Sequence, residues 1–194
     1  MKLVIDDLEM DFKTGRELLK KLSEKADEDE RVFSSVIIDG EEYYQDFENV
    51  IEFDNPERVE MVFIPVADYV RESLLGVHDY IDSNKENIDS MVSSMYVNFD
   101  TKVSEDFIDF TTGIEWIMTV MRVIDENENL LSHIPDRETW NLAVKEEKEI
   151  FEMLGELNDA FESRDHVLIA DLVKYEIHDR LDSIKDYIYA ILSR

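Results

Sequence analysis

The sequence predicts an α+β protein that is mostly helical. A small β-rich unit over residues 1–64 precedes an antiparallel four-helix bundle over residues 65–194. Three observations carry this reading. Apolar residues alternate at a period of two near the start, and from Pro65 onward they recur every three or four positions. Glycine (5) and proline (3) are scarce in 194 residues, which favours a few long helices over many short strands.

In the first unit, Leu3 and Ile5 alternate with Lys2 and Val4. Leu8, Met10 and Phe12 alternate with Glu9 and Asp11, so two strands flank an Asp6-Asp7 turn. Thr14 and Glu17 have the spacing of a capping box. The helix it opens carries Leu18, Leu19, Leu22 and Ala26 on one face and ends in the acidic run Asp27–Glu30. Val32–Ile38 and Glu41–Phe47 flank Asp39-Gly40, a dipeptide suited to a type I′ hairpin because both of its central residues need positive φ. Val50–Phe53 and Val59–Ile64 read as further extended segments, split by the turn Asn55-Pro56. The order strand, strand, helix, strand, strand suggests a β-grasp-like arrangement.

Four amphipathic stretches follow. The first carries Val66, Val70, Leu74, Val77, Ile81, Ile88, Met91 and Met95 on one stripe. Asn84 falls on that stripe, and Ser83 with Glu86 has capping-box spacing. Either an Asn is built into one helical seam or two helices meet at a kink there. The second stretch begins near Ser104 and carries Phe107, Phe110, Ile114, Ile117, Met121 and Ile124. Trp116, Val120 and Val123 make a second stripe on another face of it. A helix apolar on two faces is central in a bundle or serves association. The third restarts at Pro135-Asp136 with Trp140, Ala143, Ile150, Leu154, Leu157 and Phe161. The last begins near Asp165 and runs regularly through Ala170, Val173, Ile177, Leu181, Ile184, Ile188 and Ile191. Gly113 and Gly155, inside helical patterns, are expected to mark close helix–helix approach.

The formal charge is −28, from 48 acids and 20 bases. Such a surface repels nucleic-acid phosphates and anionic lipid and favours basic partners and cations. Acids are spread over both halves, which points to general solvation rather than a phosphate-like row. Cysteine is absent, which removes disulfides, thiol catalysis and thiolate metal sites. The acidic start MKLVIDDLEMDF is unlike a signal peptide, and no run of 18 apolar residues occurs. A cytoplasmic setting is expected.

Residues of chemical interest are few. None of the four histidines lies in His-Glu-x-x-His, and the residues three before His78, His166 and His178 are Leu75, Ser163 and Tyr175, so the Glu-x-x-His of di-iron bundles is missing. His78 with Asp82, Glu162 with His166, and His178 with Asp182 are four apart. Each pair offers one side of a metal site or, more simply, a solvent-facing pair on its helix. Glu147 sits on the third stripe between Ala143 and Ile150, where a carboxylate needs a partner or a raised pKa, unless the stripe turns toward Val144 and Phe151 and leaves it at the edge. The candidate metal ligands are therefore His78, Asp82, Glu147, Glu162, His166 and His178. Asp125–Asn129 resembles the start of a calcium loop, but Leu130 and Asp136 stand where an EF-hand needs glycine and glutamate. Phosphate-binding glycine loops and Gly-x-Ser-x-Gly are absent.

The expected function is that of a non-enzymatic acidic interaction protein, an adaptor, chaperone-like or regulatory chain. It binds a basic or amphipathic protein partner, self-associates as a dimer, and uses no cofactor, no direct nucleic-acid contact and no membrane. Trp116, Val120 and Val123 are its candidate contact residues. The alternatives are a carboxylate/histidine metal-binding protein or hydrolase, and a nucleic-acid mimic.

Overall fold

The computed structural model of the protein describes residues 1–6, 8–26 and 31–194. Asp7 and the acidic run Asp27–Glu30 lie outside the described residues. The chain divides into two compact units, Met1–Tyr69 and Val70–Arg194.

The first unit is a mixed five-stranded sheet with two helices. Its elements are β1 (Lys2–Ile5), β2 (Leu8–Asp11), α1 (Gly15–Ala26), β3 (Arg31–Ile38), β4 (Glu41–Tyr43), α2 (Phe47–Phe53) and β5 (Arg58–Pro65). The spatial order is β2-β1-β5-β3-β4, with β1 and β5 parallel and the other pairs antiparallel. First and last strands side by side, with a helix crossing between two hairpins, is the β-grasp arrangement. Asp39 (φ 48) and Gly40 (φ 95) make the hairpin turn as the dipeptide requires. Asp39 also pins that turn to β5, because its carboxylate accepts from the Arg58 backbone N–H at 2.8 Å.

One core face collects Leu3, Ile5, Val36, Ile38, Val59 and Met61 against Leu18 and Ile51. Phe33 packs on this core too, although it is odd-numbered while Val36 and Ile38 are even. A register shift between Phe33 and Ser35 inserts one residue into β3 and moves the alternation by one.

The segment Val50–Phe53 is helical, not extended. After Tyr43 the chain leaves the sheet through Asp46 (φ 57), and α2 follows. Phe47, Val50 and Ile51 are spaced i, i+3, i+4, which sets them on one helical face toward the core. The strand expected over Glu41–Phe47 thus ends at Tyr43.

From Val66 on the chain is helical: α3 (Val66–Met95), α4 (Thr101–Glu126), the single turn α5 (Glu128–Leu131), α6 (Arg137–Ser163), α7 (His166–Leu172), a π-helical turn (Val173–Ile177) and α8 (His178–Leu192). The four long helical segments form the antiparallel bundle. Along the α3–α8 seam the pairs His78–Tyr189, Asp82–Lys185 and Lys85–Asp182 climb one helix as they descend the other, and Tyr96, just past α3, continues the order by donating to Asp171 on α7. Asp125–Trp140 and Phe107–Phe161 do the same between α4 and α6. Aspartates set the helix starts. Asp100, Asp136 and Asp165 each accept a hydrogen bond from the backbone N–H three residues on. Helix α4 therefore starts at Thr101, ahead of Ser104.

Two expectations for the helices are corrected. Residues 83–86 do not start a new helix, because α3 is continuous and the Ser83 hydroxyl and Asn84 amide both donate back to the Tyr80 carbonyl. The final stripe is not a regular α-helix throughout. Ile169, Val173, Ile177 and Leu181 are each four apart, and an ideal α-helix would turn each such step about 40° too far. The π-helical turn is wider and holds all four buried.

The two helical glycines also differ. A Cβ at Gly113 would fall on the Tyr80 hydroxyl, whereas one at Gly155 meets nothing within 4 Å. Only Gly113 has a side chain of another helix in the space its own would fill. Among the described residues, no helix is long and apolar enough to cross a membrane. We expect Gly155→Ala to stabilise the fold by up to about 1 kcal/mol through helix propensity alone. Gly113→Ala should instead destabilise it by about 1–3 kcal/mol, because Tyr80 must leave its seat. Urea denaturation of the two variants beside wild type measures both signs.

Candidate functional site

Helices α3 and α4 are bridged at one level by aromatic side chains. There Tyr80 packs over Gly113, and the Trp116 ring lies 3.6 Å from where a Gly76 side chain would begin. The Tyr80 and Trp116 rings are 5.6 Å apart. From Tyr80 toward the Met95–Thr101 connection the two helices leave a groove of about 940 Å³ between them. Its floor is apolar and includes the buried Ile88, Met91, Val103 and Phe110.

The two walls differ chemically. The α3 wall is uncharged and carries Asn84, Asn87, Ser90 and Ser94, with Asn98 just beyond the helix. The run Ser90–Phe99 holds no charged residue in a chain that is 35% charged. Val97, at the groove's end, is 88% exposed. The α4 wall carries Lys102, Asp106 and Asp109, with Asp100 before it. Lys102 is spent on Asp106, at 3.0 Å, and Asp100 on capping α4. Asp109 makes no ion pair or hydrogen bond among the described residues. Burial raises the pKa of the neighbouring Tyr80 phenol, and the charge of Asp109 adds to that rise. The groove thus joins an apolar floor, a wall of amides and hydroxyls, and a wall with unneutralised negative charge.

The residues singled out in the sequence lie elsewhere. His78 and Asp82 on α3 face α8, as do His178 and Asp182 on α8 face α3, but lysines stand between them. Lys85 holds Asp182 at 2.7 Å, and Lys185 holds Asp82 at 3.1 Å and Asp182 at 3.4 Å. His178 lies 3.9 Å from Asp182, while His78 pairs with Asp79 at 2.9 Å and sits at the level of Tyr189. The two imidazoles occupy different levels of the seam, and the carboxylates that faced them already hold ammonium groups.

Glu162 and His166 are not one helical turn apart. Arg164, with φ 59, ends α6, and Asp165 starts α7 between them. Glu162 accepts from Asn158, and His166 stacks on Phe99 with ring centres 4.2 Å apart. Glu147 lies at the α4–α6 edge, in a cleft of about 190 Å³ with Arg122, Asp125, Val144 and Lys148. Ala143 and Ile150 are buried with Val144 while Phe151 is exposed, so the stripe stays on Ala143 and Ile150 and widens to Val144, with Glu147 half-buried at its edge. Among the described residues, no three or more histidines and carboxylates are placed to hold a metal ion. The stretch resembling a calcium loop is used for structure: Asp125 accepts from the buried Trp140 indole at 2.9 Å, and Asn127 caps α5.

The second face of α4 is partly taken. Trp116 is 42% exposed because Tyr80 and Gly76 cover one side of it. Val120 is half-buried, and Val123 is 43% exposed. Ile108, two turns before Trp116 on the same outward side, is more exposed than either. The groove was missed in sequence because its polar wall carries no motif. The charge-free run Ser90–Phe99 was the available signal.

Glu147 supplies a pH test. Burial raises its pKa above the ordinary carboxylate value, Lys148 and Arg122 pull it partly back, and Asp125 adds to the rise. A group with a raised folded-state pKa holds its proton more tightly folded than unfolded. Its stabilising contribution is complete below the unfolded value and lost as pH rises through the folded one. Urea unfolding from about pH 4 to about pH 7 should show Glu147→Gln gaining stability relative to wild type as pH rises from the ordinary glutamate range. A difference that does not change with pH would mean that Glu147 is as well hydrated folded as unfolded.

No curated protein and no solved structure matches the chain. One family model, described as "Domain of unknown function (DUF8042)", matches residues 72–187. The match spans the bundle from the second turn of α3 into α8 and takes in the whole groove. The chain belongs to this DUF8042 family.

Proposed function

We propose that the protein is a non-enzymatic, acidic interaction protein of adaptor, chaperone-like or regulatory type, and that a basic or amphipathic segment of a protein partner binds in the groove between α3 and α4. The groove itself carries this reading. Its apolar floor supplies area to bury, and its acidic wall holds a carboxylate, Asp109, with no counter-ion among the described residues. The net charge of −28 draws basic chains toward the molecule and speeds their encounter. A surface groove of this size, uncharged on one side in a highly charged chain, adds little to the stability of the bundle. A reducing, cytoplasmic setting accords with the absence of cysteine.

Self-association belongs to the same proposal. Its candidate face is the outward side of α4, with Ile108, Trp116 and Val123. Two copies of a chain this acidic repel each other, so the dimer should strengthen with salt as the repulsion is screened. Sedimentation equilibrium should show more dimer at high than at low ionic strength, and Trp116→Glu should leave a monomer at both. A wild-type monomer at every salt concentration removes the dimer from the proposal.

Selection from a random peptide library tests the binding function. Enriched sequences should be rich in lysine and arginine and compete with one another for one site. They should lose affinity for the double variant Asp106→Asn/Asp109→Lys, whose circular dichroism and melting match wild type. Enrichment of neutral or acidic sequences, or equal binding to the double variant, would defeat the proposal.

A further inference from the structure

We propose that the α3–α4 groove receives its partner as an extended chain with alternating apolar and basic residues, and not as a helix. This rests on the reading of the groove as a protein-binding site and adds the form and pattern of the occupant. The chemistry of the walls supports it. A docked helix has already paired its own backbone groups, so it asks only for an apolar trough. An extended segment brings an unpaired N–H and C=O at every residue, and each needs a partner on leaving water. The α3 wall offers such partners along its length in Asn84, Asn87, Ser90, Ser94 and Asn98.

These wall groups are only partly committed. The Asn84 amide donates to the Tyr80 carbonyl, and its oxygen accepts from Asn87 at 3.4 Å. Ser94 donates to the Ser90 carbonyl. The side chains of Ser90 and Asn98 make no hydrogen bond among the described residues. Carboxamides and hydroxyls both donate and accept, so they serve either kind of backbone group without reading the occupant's sequence. The opposite wall carries Lys102 paired with Asp106, and Asp109, whose carboxylate can only accept.

The geometry then sets the pattern of the occupant. From Asn84 to Asn98 is about 21 Å along a helix, the reach of about six extended residues. Side chains on an extended chain alternate between two faces. With the backbone edges turned to the two walls, one set points down to Ile88, Met91 and Phe110. The other set points out past the rim, where lysine or arginine reaches Asp109. Period two therefore matches the groove, and period 3.6 does not.

Two acetylated leucine–lysine peptides of equal length and composition separate the cases, one alternating strictly and the other patterned as an amphipathic helix. They share charge and apolar content, so only the pattern differs. Both are used below the concentration at which light scattering detects aggregates. Binding is followed by fluorescence anisotropy and by NMR of the asparagine side-chain amides. The alternating peptide should bind about tenfold more tightly, a ratio that one or two net backbone hydrogen bonds supply. It should shift the amide signals of Asn84, Asn87 and Asn98, and Asn87→Leu with Ser90→Val should erase most of its advantage. Tighter binding of the helical peptide with the same signals shifted overturns the extended form and leaves the groove as a binding site. Equal binding with those signals unmoved, or no binding of either, overturns the groove reading together with this inference.

Discussion

The hydroxyl of Tyr80 lies against Gly113, and this contact fixes how near α3 and α4 come to each other. A side chain at residue 113 would take the space of the phenol, so glycine there is a matter of room between helices. On one side of the contact Trp116 lies over Gly76 and closes the helix pair. On the other side the helices stand apart and the groove begins. The carbonyl of Tyr80 is also the acceptor for Ser83 and Asn84, which turns those polar side chains back onto their own helix just where the groove opens. One residue thus sets the spacing, closes one end of the groove and shapes its first wall residue.

Charge is the second constraint. A chain of net charge −28 must use its few bases with care, and several of them sit between helices. Lys85 and Lys185 bind Asp182 and Asp82 across the α3–α8 seam. Arg180 reaches Glu146 and Glu149 from α8 to α6, each at 2.8 Å. The Nε of Arg180 is buried without a partner, so its guanidinium is oriented by the two glutamates on α6. Exposed pairs are each worth little, but here they offset the self-repulsion that brings acidic helices into conflict. The carboxylates Asp82 and Asp182, which look like half of a metal site beside His78 and His178 in sequence, are in the fold parts of this neutralisation.

The period of apolar residues made the main elements legible, because burial on one face leaves a mark at 2 or 3.6 residues. The Asp39-Gly40 turn and the helix starts at Asp136 and Asp165 were equally plain, since their backbone geometry favours those residue types, whereas the cap at Asp100 was not. Short elements were not. Phe47, Val50 and Ile51 have helical spacing, but seven residues next to a hairpin read as strand until the chain is seen to leave the sheet at Asp46. The π-helical turn was hidden because steps of four look regular in one dimension and drift only in three. Pairs assumed to be a helical turn apart failed where a break intervened, as Arg164 does between Glu162 and His166. The groove was hidden for another reason: its walls are made of asparagine, serine and aspartate, which surface helices carry anyway, and only their alignment across two helices gives them meaning.

The alignment bears on why the charge-free run Ser90–Phe99 exists at all. Solvation of an acidic protein is served by any charged residue on an exposed helix face, and the rest of α3 has them, from Asp68 to Asp89. Packing does not call for the run either, since Val97 is largely exposed and the side chains of Ser90 and Asn98 make no hydrogen bond among the described residues. Hydroxyl and amide groups in water are already hydrogen-bonded, so placing them there gains no stability. They would gain it against a backbone that has lost its water, which is what a segment lying on Ile88, Met91 and Phe110 would present. The acidic wall opposite would then contribute most at Asp109, which has no ion-pair partner among the described residues. An apolar floor alone would favour any greasy helix, and an acidic wall alone any basic chain. The uncharged wall is the element that asks for exposed peptide groups.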